Sequence, residues 1–266
     1  MASPIVITYD NEPNEPTHFY IKTLTNNGWN YRLIGEGEKW EGWVTRMMAY
    51  RKELGSLPPD QVVVLTDARD VVCVRSPKAF MDGFNIFKKD IVVSMELTCG
   101  GRMDVPDDIQ NAQCKPLTKY WAHHNITRLP HRKYVNNGLV CGKARALKTM
   151  LDWIIANNYK DDQLGLGNYV NEFPDRVALD VDAELLHTST AGVNAGVLSI
   201  HIQKHDSPSL AELFGRGAFF LHIAGMGGKG QRIMYNCVRV LIDSGTSCKM
   251  LSSAYNYPEP KWDEKF

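Results

Sequence analysis

Apolar positions along this chain fall into short unbroken runs separated by stretches of helical spacing. Residues 4–9, Pro-Ile-Val-Ile-Thr-Tyr, are a β-branched run ending in Asp10-Asn11-Glu12-Pro13, as when a buried strand enters a loop. A helix over about 16–26 follows and is stopped by Asn27-Gly28. Residues 31–34 read as a second short strand, and 44–54 as a helix ahead of the Pro58-Pro59 break. The clearest element is 62–66, Val-Val-Val-Leu-Thr, whose continuous apolar run is typical of a parallel strand covered on both faces.

Residues 91–95 repeat that type, 144–156 have the spacing of an amphipathic helix, and 161–170 predict a helix with acids at its start. The segments 177–186, 197–202 and 218–222 are strand-like, with turn residues between them. Tyr134-Val135-Asn136-Asn137-Gly138-Leu139-Val140-Cys141-Gly142 joins an Asn-Gly turn signal to an apolar strand. A hairpin is the plain expectation there, and polar side chains fixed beside a site the alternative. Strands alternating with helices predict an α/β fold with a Rossmann-like, mostly parallel central sheet and antiparallel additions in the second half. No repeat or low-complexity linker divides the chain, so one domain over 1–266 is expected.

Composition narrows the function classes. An apolar content of 44% with 10% aromatic residues is ample for a core and excludes disorder as the main theme. Lys plus Arg and Asp plus Glu both number 30, so the net charge of zero speaks against a dedicated nucleic-acid binder. One stretch departs from this balance. From 109 to 151 there is no Asp or Glu, while Lys115, Lys119, Arg128, Arg132, Lys133, Lys143, Arg145 and Lys148 are basic. It is either a solvated surface balanced by acids elsewhere or a wall that meets an anionic ligand. No run approaches the length of a membrane span, and MASPIVITYDNE has no basic flank before a long apolar stretch. The six widely spaced cysteines lack a CxxC pair and read as free thiols in a reducing compartment, so a cytoplasmic chain is expected.

The sharpest chemical signal is Asp67-Ala68-Arg69-Asp70, directly after the buried run 62–66. In open α/β sheets ligands bind outside the carboxyl ends of strands, and two carboxylates in one tight turn need a compensating cation. A hard divalent metal answers that need; a plainer reading makes one Asp a cap and leaves the other exposed. Phe219-Phe220-Leu221-His222 then runs into Ile223-Ala224-Gly225-Met226-Gly227-Gly228-Lys229-Gly230, a Gly-rich turn with a lysine that suits phosphate oxygens but is not a P-loop. Asp67, Asp70 and His222 would make a mixed oxygen and nitrogen set suited to Mn²⁺. Asp161-Asp162-Gln163 opens a helix, where acids suit the macrodipole whether or not one of them faces a substrate.

Taken in order, these segments resemble the glycosyltransferase domain of the procollagen lysyl hydroxylase and collagen galactosyltransferase group, retaining enzymes with a GT-A type fold. The resemblance also runs through Gly35-Glu36-Gly37-Glu38-Lys39-Trp40. It implies a nucleotide-binding part over about 1–95 and an acceptor and catalytic part over about 96–266. It further implies Mn²⁺, with Mg²⁺ as the alternative, held by Asp67, Asp70, His222 and the phosphates of a UDP-sugar. Thr8 would border the nucleotide and Arg46 would lie beside the donor. Asn136 and Asn137 would approach the sugar, with Gly225 near the donor and Lys229 on the diphosphate. Asp161 and Asp162 match the acidic pair at the reaction centre. Arg69 stands where family members often carry an aromatic residue that stacks on uracil, and a guanidinium plane can stack on a base as well.

The expected activity is therefore metal-dependent, retaining transfer of a hexose, galactose or glucose foremost, from a UDP-sugar to a glycan or protein-linked acceptor. A metal-dependent phosphohydrolase or nucleotidyltransferase would use the same two carboxylates. A non-catalytic glycan or nucleic-acid module would instead use Tyr120, Trp121, His123 and His124 in the basic stretch as stacking surfaces.

Overall fold

The structure is a computed structural model, and it describes residues 3–96, 117–130, 132–190, 218–224 and 239. The strand expected at 197–202, Gly225 and Lys229 lie outside the described residues. The strands are β1 (Ile5–Tyr9), β2 (Asn30–Ile34), β3 (Val62–Thr66), β4 (Val71–Cys73), β5 (Ile91–Glu96), β6 (Tyr134–Lys143), β7 (Val177–Asp180), β8 (Leu186–Thr190) and β9 (Phe220–Ala224). The helices are α1 (Glu15–Asn26), α2 (Trp43–Gly55), α3 (Phe80–Ile86), α4 (Thr118–His123), α5 (Ala144–Ala156) and α6 (Asp162–Glu172).

The strands form one sheet in the order β2-β1-β3-β6-β5-β8-β9-β4, with β7 pairing to β5. β1 runs parallel to β2 and β3, β5 runs parallel to β7 and β8, and β8 runs parallel to β9. β6 is antiparallel to both its neighbours, and β4 is antiparallel to β9. The mixed, mostly parallel sheet is the one the alternating pattern predicts.

Continuous apolar strands follow from this layering. Side chains alternate across a strand, and both faces of the sheet are covered. Ile7, Val63, Leu65 and Val93 face a core built with Met47 and Tyr50 of α2, Leu147 and Ile154 of α5, and Tyr169 of α6. Val6, Val62, Val64 and Cys141 face a second core with Tyr20 and Leu24 of α1 and Phe80 of α3. A strand such as β3 must therefore be apolar at every position before Thr66.

Three expectations are corrected. The Asn137-Gly138 signal marks no hairpin: β6 continues through it, and the register against β5 steps from Val140 opposite Val93 to Val135 opposite Met95. The extra residues are absorbed in a bulge, a device that re-aims side chains beside sites. The 177–186 segment is a short β7 and a turn before β8, because Asp180 accepts the backbone N–H groups of Glu184, Leu185 and Leu186 at 2.8 Å each. Tyr120 and Trp121 of α4 are buried in the core and are not stacking platforms.

Four of the eight named cations of the basic stretch are compensated by acids elsewhere in the chain, in line with the first of its two readings. Lys119 pairs with Glu172, Lys143 with Asp90, Arg145 with Asp60 and Asp90, and Lys148 with Asp152. Among the described residues no helix is long and apolar enough to cross a membrane. Cys73 and Cys141 are buried free thiols.

Candidate active site

The chain leaves β3 in the middle of the sheet and re-enters it as β4 at the far end, so residues 67–70 cross the carboxyl ends of the strands. Backbone bonds fix that crossing on both sides: Asp67 N–H donates to the Gly138 carbonyl at 2.9 Å, and Ile223 N–H donates to the Asp70 carbonyl at 2.7 Å. Val71 is in register with His222 across the β4–β9 pair. Two carboxylates and an imidazole from distant parts of the chain are thereby brought together. One ligand atom from each of Asp67, Asp70 and His222 lies within 4.8 Å of the others.

His222 Nε2 is 3.4 Å from Asp67 Oδ2 and 3.3 Å from Asp70 Oδ2. Its Nδ1 is 2.9 Å from Asn136 Oδ1, which also accepts the Gly138 N–H at 2.8 Å. An atom that accepts from a backbone N–H is an oxygen, so Nδ1 of His222 must donate to it. The Nε2 lone pair then faces the two carboxylates, which is the tautomer a metal ligand needs. Burial alone would lower the His222 pKa, but Asp70 and Asp67, with Glu96 behind them, outweigh it and raise the pKa above the ordinary value. Without a cation the imidazole keeps its proton to higher pH, and a bound metal would displace it. The donor set, the preset tautomer and the spacing fit a hard divalent cation of the Mn²⁺ or Mg²⁺ kind.

Gly138 is demanded by this packing. A Cβ added there would lie 2.1 Å from His222 Cε1. The bulge in β6 thus brings a bare backbone against the imidazole while Asn136 grips its far nitrogen.

Arg46 of α2 is buried and joins two acids that are distant in the chain. Its Nη1 contacts Asp67 Oδ1, and its Nε and Nη2 both hold Asp162 Oδ2, Nε at 3.0 Å. Its guanidinium lies 4.6 Å from the Trp43 ring centroid. Burial works against its charge, yet Asp162 and Asp67 more than compensate and hold the guanidinium protonated. Asp161 is the N-cap of α6 and accepts the Leu164 N–H at 2.7 Å, so its position is explained by the helix start. The Asn137 N–H lies 3.5 Å from Gln163 Oε1, which sets the β6 bulge against the first turn of α6.

Thr8 is fully buried, and its hydroxyl donates to the Thr66 carbonyl at 3.0 Å, tying β1 to β3. Tyr50 donates to the same carbonyl at 2.8 Å and Tyr20 to the Thr66 hydroxyl at 2.9 Å. Arg69 lies at the rim, held by a fork to Asp10, Nε at 3.0 Å and Nη2 at 2.7 Å, with Nη2 also donating to the Glu12 carbonyl at 3.0 Å. Its plane is fixed between the β1–α1 loop and the acidic turn.

Sequence reasoning missed Glu96. It ends β5 opposite Tyr134, is 3% exposed, and its charge reaches His222. The available signal was a single acid closing an apolar strand, since a carboxylate buried at a strand's carboxyl end is seldom idle.

The comparisons with known proteins follow the same line. The model of the PLOD GT domain family matches residues 2–205. Among curated proteins none matches the chain. A solved glycosyltransferase involved in the glycosylation of the major capsid of PBCV-1 is 13% identical, with a TM-score of 0.50 over 84% of this chain and 94% of that one. Mouse xyloside xylosyltransferase 1, in its apo form, is 10% identical, with a TM-score of 0.44 over 83% of this chain and 96% of that one. At such identity the viral relative bears on the fold alone, which is of the GT-A type. The family match spans well over half of the chain, and the protein therefore belongs to the PLOD GT domain family and is a glycosyltransferase.

Proposed function

We propose that this glycosyltransferase moves a hexose, galactose or glucose foremost, from a UDP-sugar to a hydroxyl of a glycan or protein-linked acceptor, with retention and with a divalent metal. The observation that carries the reading is the convergence of Asp67, Asp70 and His222 at the carboxyl ends of the strands, with the His222 tautomer preset. These three residues would hold Mn²⁺ or Mg²⁺. When bound, such a cation supplies Lewis-acid stabilisation of charge on the departing diphosphate.

The chain's own residues do the rest. Breaking the bond between the anomeric carbon and phosphate leaves negative charge on the nucleoside diphosphate and positive character on the sugar. Arg46 brings a guanidinium that stays charged at the inner end of the site, and Lys229, outside the described residues, would add a cation to the diphosphate with the backbone around Gly225. Asp161 or Asp162 would steady the cationic sugar carbon or orient the acceptor hydroxyl, and Asp162 is tied to Asp67 through Arg46. Retention then follows from either of two balanced routes. In one, a carboxylate displaces UDP and the acceptor displaces the carboxylate. In the other, the acceptor attacks on the face UDP leaves, its proton passing to the departing phosphate. Arg69, fixed flat by Asp10, offers a plane for the base. The pairing of Lys119, Lys143, Arg145 and Lys148 with acids speaks against a nucleic-acid module.

The test is UDP release from UDP-galactose, UDP-glucose, UDP-xylose and their N-acetyl relatives, with and without Mn²⁺, for the wild-type chain and Asp70→Ala. Metal-dependent turnover of one donor, lost in an Asp70→Ala variant that still unfolds cooperatively, is expected. Inorganic phosphate or nucleoside monophosphate as the product, or UDP and Mn²⁺ binding unchanged in Asp70→Ala, overturns the reading.

A further inference from the structure

The two contacts of Arg46 serve different partners. Its Nη1 lies on Asp67, a carboxylate of the metal cluster, whereas Nε and Nη2 form a double grip on Asp162. The Asp162 side is the anchored one: both charges are almost wholly buried there and α2 packs against α6 across it. The Asp67 side faces outward, because the Asp67 side chain is 25% exposed against 2% for Asp162. Asp67 also divides its oxygens, Oδ1 to Arg46 and Oδ2 toward His222.

A guanidinium on Asp67 Oδ1 and a divalent cation on Oδ2 compete for the charge of one carboxylate. The cation withdraws the negative charge that holds the arginine and repels the arginine directly. Of Arg46's two attachments, the one to Asp67 is the one a cation weakens, and the two N–H groups on Asp162 make the pivot.

We propose that Arg46 is a displaceable counter-ion: it neutralises Asp67 until a divalent cation takes that carboxylate, and the guanidinium edge so released becomes a cationic contact for the anionic donor. Asp162 stays paired with it throughout, so metal loading and the placement of the acid at the reaction centre are set by one side chain. The site is then loaded in order, cation before or with the nucleotide, since the nucleotide meets Arg46 only after Asp67 has let it go. This role rests on reading Asp67, Asp70 and His222 as a metal site of a transferase.

The test is calorimetric titration with Mn²⁺ alone, and then with UDP at saturating Mn²⁺, on wild type, Arg46→Gln, Arg46→Gln/Asp162→Asn and Asp70→Ala. The double variant removes both buried charges, so it guards against an Arg46→Gln chain that fails to fold around an unpaired Asp162. Arg46→Gln should bind Mn²⁺ alone about tenfold more tightly and UDP about tenfold more weakly, because its competitor at Asp67 and its donor cation are the same group. The double variant should show the same signs with a smaller gain for Mn²⁺. Unchanged or weaker Mn²⁺ binding in both variants overturns the proposal and makes Arg46 an orienting residue for Asp67. If wild type and Asp70→Ala alike bind no Mn²⁺, the metal-site reading itself has failed and this role falls with it. Loss of Mn²⁺ binding in Asp70→Ala alone, beside an unaltered Arg46→Gln, overturns only the counter-ion role.

Discussion

Gly138 and His222 are separated by most of the second half of the chain, yet each is shaped for the other. The imidazole occupies the space in which a Gly138 side chain would stand, at 2.1 Å from the ideal Cβ, and it has no slack because Asn136 holds Nδ1. Gly138→Ala should therefore push His222 off its seat rather than shift a flexible side-chain tip. The overpacking is expected to cost about 1–3 kcal/mol in urea unfolding. Metal affinity should fall on the order of 10–100-fold, as when a ligand's supporting contact is lost. Normal Mn²⁺ binding by a destabilised Gly138→Ala would show that the imidazole is free to move and that its orientation is not what the bulge protects. At this scale the sequence is readable where a residue ends a strand. Asp67 does so directly after β3, whereas Asp70 stands just before β4 and His222 is the central residue of β9, brought to the same rim by the β4–β9 pairing. Glu96 obeys the same rule as a single acid after an apolar run. The pairing of Arg46 with Asp162 is not readable in that way, because the two residues lie 116 positions apart and only tertiary packing brings α2 and α6 together.

Elements were legible in proportion to how strongly burial patterns them. The helix expected over 144–156 is found as Ala144–Ala156, since a full apolar stripe on α5 meets the sheet and a polar face meets water. α3 and α4 span 7 and 6 residues, too short to display a helical period, and neither was anticipated. The three-residue β4 escaped for the same reason. β6 misled differently: the Asn-Gly pair carries a local turn preference, but pairing with β3 on one side and β5 on the other outweighs it and turns the preference into a bulge. An element-scale prediction follows at the crossing of α5 and α6. Gly165 sits where a Cβ would lie 2.5 Å from Ile154 Cγ2 and 3.2 Å from Tyr159 Cβ. Alanine gains about 1 kcal/mol of helix propensity, against about 1–3 kcal/mol for overpacking, so Gly165→Ala should be destabilising by up to about 2 kcal/mol. Adding Ile154→Leu removes the β-branch that carries the crowding Cγ2, and the pair should lose less than the sum of the single variants. Strict additivity in urea midpoints at constant slope would mean that α6 is not seated through this contact, and the placement of Asp161 and Asp162 would then need another support.

For the molecule as a whole, equal numbers of acidic and basic side chains leave little net charge to set a pH optimum of stability, so single buried groups decide it. His187 on β8 is the strongest of these. Its Nε2 accepts from Arg132 Nη2 at 3.1 Å, and burial first, then the arginine's charge, push its pKa down to about 3. In the unfolded chain an ordinary histidine titrates near 6.5. Below that pH the unfolded chain takes a proton that the native protein refuses, so stability falls as the pH falls. The slope approaches about 1.4 kcal/mol per pH unit between the two values and vanishes above the upper one. Asp180, raised by burial, acts in the opposite sense near the bottom of that range, as it would in any variant that leaves it in place. His187→Gln keeps an acceptor for Arg132 and removes the titration. Urea unfolding from pH 7.5 to 4.5 should therefore give two curves that start apart by the cost of the substitution and converge as acid is added, the variant's being the shallower by close to one proton. Parallel curves would mean that His187 is protonated in the native protein, which would require Arg132 to turn away from it and the tie between β8 and the strand entry at Tyr134 to be absent in solution.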